Sequence, residues 1–184
     1  MISERWNFGA GILFAAKDGD GHHRILLGQR RKNKASEILQ RIGFHLDGWS
    51  IPFGQLGEDD KGNYRACAVR EAAEEIFAVR EGAPYRECLT RLDAGMGIAG
   101  SHSISERLFP QEGWNPLAWA PCINHRIFFV RLPCVPTIDL PGDWSWTPRS
   151  LGWYRYDELR ALDGAWHCSL RHTLNHFRKE IVNE

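Results

Sequence analysis

The chain has 184 residues, 43% of them hydrophobic and 25% charged, an ordinary globular composition with length enough for one substantial core. Lys plus Arg and Asp plus Glu both total 23. No broad positive field therefore exists to hold a nucleic-acid polymer or an anionic membrane, and a small phosphorylated substrate fits better. No apolar run approaches bilayer length and Met1 to Trp6 carries no signal core, so a cytoplasmic protein without a membrane partner is expected.

In chain order, Gly9 to Ala16 and Arg24 to Arg30 read as apolar strands. The Asp-Gly-rich stretch between them predicts a hairpin turn and antiparallel neighbours. Arg30, Arg31, Lys32 and Lys34 follow as a basic group, which either meets the anionic end of a substrate or is a solvated loop. Trp49 to Asp60 is a short apolar strand running into a loop with Gly54 and Gly57, where backbone can approach a ligand closely. The stretch around Arg70 to Glu75 reads as helix, with Val69, Ala72, Ala73 and Ile76 on its core face. Gly82 and Pro84 supply its stop signal.

Residues 83–122 read as an insertion within a single domain spanning 1–184, with Gly95 to His102 as a flexible loop. Ile123 to Leu132 and Leu151 to Tyr156 are later strands, Asp157-Glu158-Leu159 begins a short helix, and Ser169 to Val182 is one C-terminal helix with Leu170, Leu174, Phe177 and Ile181 on one face. Trp114, Trp119, Trp144 and Trp146 surround the Ile127 strand, where an aromatic either stacks on a base or buries area in a core. The five cysteines are unpaired in spacing and read as free thiols, with Cys67 a small buried residue. His172 and His176 have metal-gripping helical spacing but no acidic partner in sequence, which favours an exposed or capping role.

The chemistry concentrates in Arg70-Glu71-Ala72-Ala73-Glu74-Glu75. On a helix, Glu71 shares a face with Glu74 and Glu75, and three such acids repel unless a cation lies among them. A hard divalent ion, Mg²⁺ or Mn²⁺, takes carboxylates together with substrate phosphates, which points to phosphoanhydride chemistry. The alternative is a solvated face paired with Arg70, and an Arg70–Glu74 pair is expected in either case.

The run from Gly54 to Ala78 resembles a divergent Nudix box: a glycine, five residues, an acid, then Arg-Glu-x-x-Glu-Glu. Nine residues rather than seven separate Asp60 from Arg70, Glu58 is an equal occupant of the acid position, and Phe53 and Phe77 stand where glycines are usual. The resemblance implies an α/β fold, a Nudix-type α/β/α sandwich with a mixed central sheet, and hydrolysis of a nucleoside diphosphate joined to another group X. It assigns Glu71, Glu74 and Glu75 to the metal and Arg70 to orienting the acids, with Glu71 as the first candidate to take the water's proton and Gly54 toward the substrate, where Arg30 of the basic group is the candidate cation. An acid from outside the box is the other candidate base: Glu106, Glu112, Asp139 or Asp143. Trp153 and Asp157-Glu158-Leu159 extend the resemblance toward the C-terminus. The competing reading is a non-catalytic Nudix-like module that binds a nucleotide or a partner protein. Family habit and the Trp content also give a homodimer as an expectation.

Overall fold

Every inward position of Gly9 to Ala16 is apolar or glycine, so this segment can be buried on both sides, and it forms the middle of the central strand. The computed structural model describes residues 3–31, 48–77, 89–92, 94–107, 119–136, 145–164 and 166–182. Strand β1 (Ser3–Lys17) pairs antiparallel with β2 (His23–Arg30) across the expected hairpin, Ala15 opposite Ile25. Strands β3 (Gly48–Ser50) and β4 (Phe53–Gln55) follow; β4 pairs with β1 at Gly9 to Gly11 and β3 pairs with β2.

Strand β5 (Gly100–Arg107) pairs antiparallel with β6 (Trp119–Arg131), and β6 runs parallel to β1 over its whole length. Strand β7 (Gly152–Arg155) lies antiparallel on β2. The described strands form one mixed sheet of order β3-β2-β1-β6-β5, with β4 on β1 and β7 on β2.

Period-two alternation sends β1 side chains to opposite faces. Ala10, Ile12 and Phe14 meet Cys67, Ala68, Ala72 and Ile76 of helix α1 (Tyr64–Phe77). Leu13 and Ala15 face a second core containing Leu170 and Leu174 of helix α2 (Cys168–His176) and Ile181 of helix α3 (Arg178–Val182). Burying a side chain the size of Ile76 contributes about 1.5–3 kcal/mol, and Ile76 is fully enclosed. The result is an α/β/α sandwich. No described helix is long and apolar enough to cross a membrane.

Three expectations change. The loop read at Gly95 to His102 runs into β5, so part of the supposed insertion belongs to the sheet. Its Gly-Ser-His-Ser-Ile-Ser-Glu-Arg sequence hides the strand because it sits at the sheet edge and only Ile104 turns a large apolar side chain to the core. The C-terminal helix breaks at Phe177 into α2 and α3, although Leu170, Leu174, Phe177 and Ile181 are all buried as the pattern required. The Asp-Glu-Leu helix is a 3-10 segment, Tyr156–Ala161. The tryptophans are also less exposed than composition suggested: Trp49 and Trp146 are buried, and Trp6 is exposed on β1. Trp114 and Trp144 lie outside the described residues. Cys67, Cys122 and Cys134 are free thiols, and burial pushes the Cys67 thiol up to about 12, which makes it inert.

Candidate active site on the acidic helix

A short 3-10 segment, Glu58–Asp60, leads to a turn in which Lys61 and Gly62 both have positive φ, 49° and 77°. This left-handed turn takes up the longer spacing between Asp60 and Arg70 and delivers the chain to Asn63. The Asn63 side-chain oxygen then accepts from the backbone N–H groups of Arg65 and Ala66, at 3.0 and 3.3 Å, and caps α1. Of the two acids competing for the box position, Asp60 turns inward and Glu58 stays exposed.

Arg70 organises the site. Its Nε and Nη2 donate to the two oxygens of Asp60 at 3.1 and 2.8 Å, Nη1 donates to Glu71 Oε1 at 2.7 Å, and Nη2 also donates to the Gln55 carbonyl. The expected contact with Glu74 exists but is looser, 3.5 Å. The planar fork thus spends its best hydrogen bonds on Asp60 and Glu71. The Arg70 guanidinium holds the Asp60 carboxyl below the usual carboxylate range, helped by the Gly57 N–H. Asp60 and Glu71 in turn push Arg70 far up.

Gly54 has a steric reason. A Cβ built there would fall inside the Glu71 carboxylate, so only glycine lets that group rest against the β4 backbone. Burial raises the Glu71 carboxyl, against Arg70 and with the neighbouring Glu74 charge adding to the rise. Glu74 is the outermost of the three, 59% exposed at its side chain.

Glu75 and Arg30 depart from the expected roles. Glu75 is buried, ion-paired to Arg30, and accepts from the Phe53 N–H at 3.0 Å. Burial still pushes its carboxyl up to about 7. Arg30 also donates to the Phe53 carbonyl and lies over the Trp146 ring, 4.9 Å from its centre. It is therefore turned into the protein, and is neither a solvated loop residue nor a cation free to meet a substrate. Trp146, a candidate base platform, is a core residue whose indole N–H donates to the Glu75 carbonyl at 3.2 Å. Arg31 donates to the Trp146 carbonyl; Lys32 and Lys34 lie outside the described residues.

Glu106, the one of the four outside acids within the described residues, does not join the helix. Glu106 shares a face of β5 with Ile104, which belongs to the α2-side core, and it lies 3.6 Å from His172. It thereby supplies the acidic neighbour that the His172–His176 pair lacked in sequence, while His102 stacks on His176. Glu112, Asp139 and Asp143 lie outside the described residues.

Oxygen donors alone, four carboxylates around two guanidiniums, suit a hard divalent cation. The acids are not preassembled around one point, however. Among the described residues, three candidate ligand atoms come within 4.8 Å of one another only at Asp18, Asp20 and His22 in the β1–β2 turn. There Asp18 already accepts from Arg24 and from the backbone of Asp20 and His22. The box position Asp60 and the Arg30–Glu75 pair are the parts that sequence reasoning left undecided or missed; an Arg closing a strand and an acid on the core edge of a helix were their only signals.

No family model matches the chain and no curated protein matches it. Solved structures do. MutT protein from Methanosarcina mazei Go1 is 14% identical with a TM-score of 0.56, covering 98% of each chain. The Nudix domain of NrtR from Shewanella oneidensis, complexed with ADP-ribose, is 9% identical with a TM-score of 0.53, over 97% of this chain and 90% of that one. The bifunctional NMN adenylyltransferase/ADP-ribose pyrophosphatase from Francisella tularensis, complexed with AMP and a manganese ion, is 11% identical with a TM-score of 0.59, over 97% of this chain and 42% of that one. At these identities the likeness is one of architecture, and together with the strand–glycine loop–acidic helix order it establishes that this chain has the Nudix fold.

Proposed function

We propose that the chain is a divalent-metal-dependent hydrolase that cleaves a pyrophosphate bond in a nucleoside diphosphate joined to another group. The charge balance of the α1 network supports this reading. Asp60, Glu71, Glu74 and Glu75 face Arg70 and Arg30, which leaves two negative charges uncompensated. Burial raises both the Glu71 and the Glu75 carboxyls, and a cation among them would favour their charged forms. One Mg²⁺ or Mn²⁺ would restore neutrality.

In this reading Glu71 and Glu74 hold the ion, and Glu75 stands behind them as the third carboxylate, fixed by Arg30 and the Phe53 N–H. When bound, the ion neutralises pyrophosphate oxygens and sharpens the attacking water. Arg70 keeps Glu71 turned toward Gly54, and Glu71 accepts the water's proton, a role to which its raised basicity suits it. Arg30 acts through Glu75 and is a positioning residue.

The test is product analysis by mass spectrometry over a nucleotide panel that begins with ADP-ribose and nucleoside triphosphates, with and without Mg²⁺ or Mn²⁺. Metal-dependent cleavage is expected, and Glu71→Gln and Glu74→Gln should each lower kcat by about 100-fold or more. Cleavage that survives both substitutions rejects the site. A second reading, the non-catalytic nucleotide-binding module, is favoured by the engagement of Glu75 with Arg30 and Phe53. Silence across the panel together with calorimetric binding of ADP-ribose would decide for it.

A further inference from the structure

On the sheet face opposite α1, a cleft of about 650 Å³ opens between the 3-10 segment Tyr156–Ala161 and helices α2 and α3. Its volume lies in the range of small-ligand sites. Arg160 enters from the 3-10 segment, Arg171 from α2 and Arg178 from the start of α3, while Tyr156, Trp166 and Leu174 form the floor. None of the three arginines forms an ion pair among the described residues.

The one acid in the lining, Asp157, is already taken. Both of its oxygens accept from Arg155, at 3.2 and 2.8 Å. Arg160 and Arg178 both act electrostatically on the Tyr156 hydroxyl, which itself points to the Leu174 carbonyl at 3.4 Å. Three cations thus gather around an aromatic floor in a protein whose formal net charge is zero. Solvated arginines repel and spread; three brought to one concave surface favour an anion carrying several charges. The half-buried Trp166 and Tyr156 favour an anion with a flat apolar body.

We propose that this cleft binds a nucleoside polyphosphate, its phosphates against Arg160, Arg171 and Arg178 and its base against the Tyr156–Trp166 floor, independently of the α1 acids. The site lies on the α2 side of the sheet, so it is separate from the pyrophosphate chemistry proposed for the other face.

The experiment is isothermal titration of the full chain with ATP in EDTA, which silences any divalent-metal site. Saturable binding of one ATP per chain is expected, weakened at least tenfold in Arg171→Glu/Arg178→Glu and in Arg160→Glu, and unchanged in Glu71→Gln/Glu74→Gln. Adenosine and inorganic tripolyphosphate should each bind at least tenfold more weakly than ATP. The substituted arginines are exposed, and circular dichroism checks that the variants fold. The proposal is overturned by absence of binding at millimolar ATP, by affinity indifferent to the charge reversals, by tripolyphosphate equalling ATP, or by a single-stranded oligonucleotide binding more tightly than ATP. Because the α1 substitutions should leave this binding intact, its failure and that of the hydrolase reading are told apart.

Discussion

On the α1 side of the sheet, polar side chains are buried as charges matched to charges; on the α2 side they are buried as neutral rings. Glu75 and Asp60 are almost wholly enclosed, each held by a guanidinium. His125 and His167 are enclosed to the same degree, and burial holds both imidazoles below their ordinary range, which keeps them neutral. His125 Nε2–H donates to the Asn7 oxygen at 2.9 Å and its Nδ1 accepts from the Ser169 hydroxyl, while His167 Nδ1 accepts from the Ser169 N–H at 3.2 Å. Arginine cannot shed its proton, so it draws its partner toward the carboxylate form against burial; imidazole can, and burial makes it do so. One face therefore keeps an electrostatic imbalance that a cation can answer. On the other, the buried imidazoles are neutral and pack through Phe53 against the back of the same loop.

The largest effect should come from breaking the pairing on the charged side. Arg30→Met strands Glu75 in the core without its counterion, which typically costs about 3–5 kcal/mol. Urea unfolding at pH 8 measures it, and Arg30→Met/Glu75→Leu should recover most of the loss. A cost below about 1 kcal/mol would mean that Glu75 is buried as the neutral acid, and the contrast between the faces would collapse.

Next in size is the pH dependence of the neutral side. Burial lowers His125 to about 4 from its ordinary 6.5. Between those values the unfolded chain binds more protons than the folded one, so stability rises with pH. The contribution is fully present above about 6.5 and lost as pH falls through 4, roughly 3 kcal/mol in all. Glu75 has the opposite sign: its folded value, about 7, exceeds the unfolded 4.5, so its contribution falls as pH rises through that window. The two partly cancel in the wild type. His125→Gln should therefore flatten the rise, and a variant whose stability still climbs with the wild-type slope from pH 4 to 6.5 would show that His125 is not buried neutral.

The sequence disclosed the two faces unequally. Helical spacing placed Glu71, Glu74 and Glu75 on one segment, and the apolar run of β1 and the Leu170-Leu174-Phe177-Ile181 pattern marked the sheet and the α2–α3 cover, because burial leaves a local period. What stayed hidden depends on partners far apart in the chain. Arg30 looked like a free cation because the acid that claims it is 45 positions on. Gly54 read as a loop glycine, whereas its reason is the Glu71 carboxylate seated against it. Strand β5 escaped notice because an edge strand can be polar, and the buried His125–Ser169 pair has no sequence signal at all.

The smallest expected effect compares the two helix starts. Asn63 caps α1 from solvent, and His167 caps α2 from inside the core. Asn63→Ala removes an acceptor that serves two exposed N–H groups, which water then serves in its place, so the cost should be about 1 kcal/mol, seen as a shifted denaturant midpoint at constant slope. The left-handed turn at Lys61 and Gly62 would still deliver the chain, and Arg70 would still clamp Asp60. A loss near 3 kcal/mol would show instead that Asn63 belongs to the buried ionic network, and that the charged face extends one full turn nearer to solvent than its ion pairs indicate.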